Sequence, residues 1–205
     1  MNPIPHQEFL EIGTSLQFLA SLFQYYGANQ DQAHKCLRGW KIKYDVNPLA
    51  RSNLAAIGWM IVVRWFELTK VENGEFPADL LNELHRRAVI GKFDMQTKDK
   101  IEGNYQCQIM TLDIDSRDGE IFLGSFIRQL RNAISHYDIT NEKRSEQNIV
   151  LIRHAFHGKE KLHMEIDPLN YVKLIGDLGI LYQESVVHLD STLQTLIKPG
   201  HAITL

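Results

Sequence analysis

Apolar residues return every three or four positions through much of the chain, the spacing of helices that bury one face. Phe9, Ile12, Leu16, Leu19, Ala20 and Phe23 predict a first helix that stops near Gly27 and Asn29. The stretch 31–47 is mixed, with a short helix around 33–40, and Asn47-Pro48 breaks it. A long helix follows from about 49 to 70. Leu54, Ile57, Ile61 and Trp65 run along one side of it, and Trp59, Val62, Val63 and Phe66 widen the apolar surface, as in a helix surrounded by others. The turn 72–75 leads to Pro77, suited to the first position of a helix through Leu80, Leu81, Leu84 and Ala88 to Gly91. His85, Arg86 and Arg87 read as its solvated end, where cations complement the helix dipole. From 92 to 117 no period is sustained, and no element is assigned.

Past residue 140 the pattern changes. The stretch 141–147 is charged and reads as a loop. In 148–157 the residues Val150, Ile152, His154 and Phe156 alternate with Ile149, Leu151, Arg153 and Ala155, and Leu162, Met164 and Ile166 share a face in 161–167. Gly158 between them supports a hairpin turn. Asp167-Pro168 then supplies a cap and a favourable first residue for a closing helix, about 168–196, striped by Val172, Ile175, Leu178, Tyr182, Val186, Leu189, Leu193 and Leu196. The sum predicts an all-α fold: four to five main helices in a bundle, with a small β-hairpin at about 148–167 before the last. No repeat or linker divides it, so 1–205 reads as a single domain.

The chain is arranged around 121–138, IFLGSFIRQLRNAISHYD. On a helical wheel Phe122, Leu123, Phe126, Ile127, Leu130, Ala133, Ile134 and Tyr137 fill one unbroken apolar arc. The other arc carries Gly124, Ser125, Arg128, Gln129, Arg131, Asn132, Ser135 and His136, so one side packs and the other is free for chemistry. Within it stands Arg131-Asn132-Ala133-Ile134-Ser135-His136.

That run resembles the signature of the HEPN superfamily (higher eukaryotes and prokaryotes nucleotide-binding), in which an arginine and a polar residue precede a histidine after a few spacers. The order of helices, motif helix, hairpin and closing helix is similar to some of its members. The resemblance implies a HEPN-like helical bundle that pairs into a homodimer, two copies of the motif forming one cleft that cuts RNA without a metal or other cofactor. It also implies a cytoplasmic toxin or defence effector, of toxin–antitoxin or abortive-infection type, with an antitoxin or other regulatory protein as a further partner. The alternative is a non-catalytic domain that binds nucleotide, RNA or protein.

The residue types suit that chemistry. Attack by a ribose 2′-hydroxyl needs a proton removed, charge stabilised at phosphorus and the leaving oxygen protonated. Imidazoles ordinarily titrate near 6.5 and so serve both proton steps, the role expected of His136. A guanidinium stays charged and offers a planar fork to phosphate oxygens, the role expected of Arg131. Asn132, four residues before His136, is placed to orient the imidazole or hold the phosphate, and Arg128 and Ser135 to hold the RNA backbone. Arg131 and His136 lie about 140° apart on the wheel. One helix positions them poorly around one phosphate, whereas a two-fold pair of helices brings Arg and His from different chains together.

Composition narrows the picture. With 205 residues, 44% of them hydrophobic, the chain supports one well-buried core. A formal charge of -3 excludes a broadly basic nucleic-acid coat, leaving a local basic cleft. Cys36 and Cys107 lack zinc or disulfide spacing and read as free cytosolic thiols. The first five residues do not form a secretory signal, and the apolar run 54–63 ends at Arg64 and Glu67, short of the roughly 20 residues of a membrane span. In 113–120 the calcium-loop pattern fails because its fifth and twelfth positions are Arg117 and Gly124; Ser116 or Asp118 is expected instead to cap the central helix. His154, His157 and His163 make no metal set, since the first two differ in strand parity and no Cys or carboxylate completes it.

Overall fold

The computed structural model describes residues 50–70, 76–90, 93–115, 117, 121–145 and 147–189. The expected elements around 9–27 and 33–40, the turn 72–75, the capping residues Ser116 and Asp118, Cys36 and the closing helix beyond 189 lie outside them.

The first rod is α1 (Arg51–Gly58), a wider π-helical turn (Trp59–Val63) and α2 (Arg64–Thr69), which follow one another without leaving the right-handed helical region. Gly58 is there because nothing larger fits. A Cβ on it would collide with the Tyr171 hydroxyl and come within 2.9 Å of Ile134 Cδ1. Next come α3 (Ala78–Ile90) and α4 (Lys98–Tyr105), the latter capped by Thr97, whose hydroxyl accepts from Lys100 N. The strand β1 (Gln108–Leu112) precedes α5 (Phe122–Ser135), and β2 (Ile139–Arg144), β3 (Gln147–Phe156), β4 (Lys159–Ile166) and α6 (Pro168–Leu189) complete the described chain. As the sequence predicts, Asp167 opens the last helix, its carboxylate accepting from Leu169 N at 2.8 Å.

The all-α expectation is overturned. The four strands form one antiparallel sheet in the order β1-β4-β3-β2, so the hairpin of 148–167 is the middle of a sheet and not a small insertion. Residues left unassigned in 92–117 form α4 and β1, and the charged stretch 141–147 is largely β2 and its turn into β3. Both strands are edges, where a ladder needs only one neighbour and side chains stay polar. In β2 only Ile139 is buried, which removes the alternation that betrays a strand. The β3–β4 turn has positive φ at both His157 (50°) and Gly158 (74°), the backbone that matches strand twist in a two-residue hairpin.

One face of the sheet, with Ile109, Ile139, Val150, Ile152, Leu162, Met164 and Ile166 buried, meets α5, with α6 alongside at β3. On its other side α5 meets the first rod and α3. The central helix is therefore covered by sheet on one side and by helices on the other. Among the described residues no helix is long and apolar enough to cross a membrane.

Candidate functional site

Because α5 is enclosed, most of its polar arc is not open. Ser125 is fully buried and its hydroxyl accepts from Asp115 N at 2.8 Å; Gln129 is 4% exposed. Arg128, also 4% exposed, has its guanidinium 5.5 and 5.6 Å from the Phe66 and Phe76 ring centres, and its Nε stands 4.0 Å from Asp115 Oδ2. The structure thus corrects the expectation that Arg128 is placed to hold RNA. Its charge works inside the fold, between two aromatic rings and a carboxylate.

Of the polar arc of α5, only the C-terminal end emerges. Arg131 and Asn132 are half-buried, and Ser135 and His136 are exposed. Arg131 Nη1 donates to Asn132 Oδ1 at 2.7 Å, Nη2 is paired with the Glu67 carboxylate of α2, and the guanidinium lies 4.8 Å over the Phe66 ring. Asn132 therefore holds the arginine, where the sequence suggested the imidazole or a phosphate. Glu67 is shared with Lys70.

His136 caps the C-terminus of α5. The chain leaves the helix by a Schellman turn: Tyr137 N donates to Ile134 O at 3.0 Å and Asp138 N to Ala133 O at 2.8 Å. This puts Tyr137 at φ +61°, a left-handed conformation that costs a residue other than glycine about 1–2 kcal/mol. The residue is 44% exposed, which corrects its placement on the apolar arc. Arg51, at the start of α1, donates from Nη2 to Tyr137 O at 2.8 Å and sets its guanidinium 4.1 Å over that ring.

The His136 ring stacks on His154 of β3, with centroids 5.6 Å apart and planes 4° from parallel. His154 is 5% exposed, and its Nδ1 faces Asp138 Oδ2 at 3.5 Å. Burial pulls the His154 pKa below the usual value, the Asp138 carboxylate acts the other way, and His136 and Lys161 reinforce the depression. One chain therefore points its arginine toward α2 and its histidine toward β3. Arg131, Asn132, Ser135 and His136 share a helix end, but the two proposed catalytic groups have different neighbours.

Glu67, Arg51, Asp138 and His154 escaped the sequence reading of the site. His154 alone left a sign, since it shares its register with the core residues Val150 and Ile152. It stands on the inner face of the sheet and His163 on the outer, because His163 pairs with Arg153 across the strands. Cys107 is a buried thiol whose pKa burial pushes up to about 12, leaving it unreactive. Comparison with known proteins finds no family model that matches the chain, no curated relative and no similar solved structure.

Proposed function

We propose that the chain is a metal-independent endoribonuclease whose cleft is completed by a second copy of itself. The observation that carries the reading is the emergent turn of α5: an arginine held by its neighbouring amide, and one turn on an exposed histidine with an aromatic partner behind it. Support for a second copy comes from the divergence of Arg131 and His136 within one chain. A two-fold contact between last turns sets the arginine of each copy against the histidine of the other. The buried Ser125, Arg128 and Gln129 leave that contact to the last turn alone.

In this reading His136 takes the proton of the ribose 2′-hydroxyl as the 2′-oxygen attacks phosphorus in line. Arg131 receives the charge that grows on the phosphate oxygens, its guanidinium exchanging Glu67 for the phosphate. The P–O5′ bond breaks, a proton passes from imidazolium to the departing 5′-oxygen, and a 2′,3′-cyclic phosphate and a 5′-hydroxyl result. Asn132 keeps Nη1 fixed throughout.

Labelled RNA incubated with the purified protein in EDTA tests this. Cleavage is expected, with Arg131→Ala and His136→Ala each lowering the rate by at least about 100-fold. Intact RNA with wild-type protein overturns the nuclease. A growth defect on expressing wild type but not His136→Ala supports a toxic or defensive role.

A further inference from the structure

Tyr137 is the part of this helix end that the proposed chemistry does not use. Its backbone adopts the conformation that favours glycine, yet the position holds a large aromatic ring that stays exposed. The usual reason for a ring at a strained position, burial in the core, is missing. Arg51 instead fixes it from behind, through the hydrogen bond to the Tyr137 carbonyl and the guanidinium laid over one face. Among the described residues no other aromatic ring or cation is stacked on it, and the residue as a whole stays 44% exposed.

We propose that Tyr137, backed by Arg51, is a nucleobase-stacking subsite for the nucleotide beside the phosphodiester engaged by Arg131 and His136, with purines preferred. The assignment rests on the nuclease reading and adds where the neighbouring base goes. Tyr137 follows His136 directly, with Cα atoms about 3.8 Å apart across one peptide bond, so a strand of RNA engaged at His136 passes within reach of the residue. A ring already held by a cation loses little freedom when a base settles on it. The positive charge behind it also favours the RNA backbone. Stacking accepts every base but rewards the larger π surface, hence purines over pyrimidines.

The test uses the full-length protein and short oligo(A) and oligo(U) with 2′-O-methyl riboses, which lack the nucleophile and stay intact. Fluorescence anisotropy is expected to show Tyr137→Gly binding oligo(A) roughly tenfold more weakly than wild type and oligo(U) with a smaller loss. Tyr137→Phe keeps the affinity. The melting temperature of Tyr137→Gly is expected to hold or rise, since glycine relieves the left-handed backbone. Oligo(A) bound equally by Tyr137→Gly and wild type, while wild type still cleaves RNA, overturns the subsite and leaves the nuclease standing. Equal losses for both oligonucleotides with a lower melting temperature also overturn it, because they mark damage to the helix end. Wild-type protein that binds neither oligonucleotide overturns the subsite together with the reading beneath it.

Discussion

His154 is a titratable ring on the inner face of the sheet, and the groups around it push in opposite directions. Asp138 favours its charged form; burial, His136 and Lys161 oppose it, and burial is the largest effect. Its folded pKa therefore lies below the unfolded histidine value of about 6.5. The unfolded chain then binds the proton more readily, so the contribution of a neutral His154 to stability is present above about pH 6.5 and is lost as pH falls through the lowered folded value. Urea unfolding at pH 7.5 and 5.5 is expected to show wild type losing stability on acidification, and His154→Gln losing less. An equal loss in both contradicts the depressed pKa. At this scale Arg131, Asn132, Ser135 and His136 were legible, because a single helix end gathers them. Arg128 was misread: a wheel records direction around one helix and not which neighbour occupies that direction.

Helix α5 is two elements in one. Its first three turns are enclosed by the sheet, the first rod and α3, and Arg128 is tolerated there because rings and a carboxylate receive it. Its last turn escapes that enclosure. The packing that places it includes the close approach of α1, α5 and α6 at Gly58, where Tyr171 also donates its hydroxyl to Leu54 O at 3.2 Å. Gly58→Ala is expected to destabilise the protein by about 1–3 kcal/mol, read as a lower melting temperature, since a fully buried tyrosine and Ile134 must both yield. An unchanged melting temperature contradicts this packing. The amphipathic pattern revealed α5 itself, while its polar arc gave no sign of burial, which depends on elements distant in sequence. The long helix expected over about 49–70 appears as a rod whose middle widens into a π turn, a local change that apolar spacing does not encode.

At the scale of the molecule, helices with strong periods and the β3–β4 hairpin with its Gly158 turn were legible, and the sheet they belong to was not. Its edges were hidden: β2 is polar nearly throughout and turns at Ser145, φ +57°, without the glycine or asparagine that marks a hairpin, while β1 is short and follows a helix with only Ile101 and Tyr105 buried. The sheet supplies His154, which stacks on the exposed His136 and faces Asp138.

Subunit complementation tests the proposal of a shared cleft most directly. Arg131→Ala and His136→Ala chains, each inactive alone, are refolded together in equal amounts and assayed on labelled RNA in EDTA beside wild type. Half of the dimers are then mixed, and the cleft of each mixed dimer holds one intact pair, an arginine from one chain facing a histidine from the other, where the wild-type cleft holds two. The expected activity is about a quarter of wild type. A mixture as inactive as its components, with wild type cleaving normally and mixed dimers demonstrably formed, contradicts a site shared between two copies.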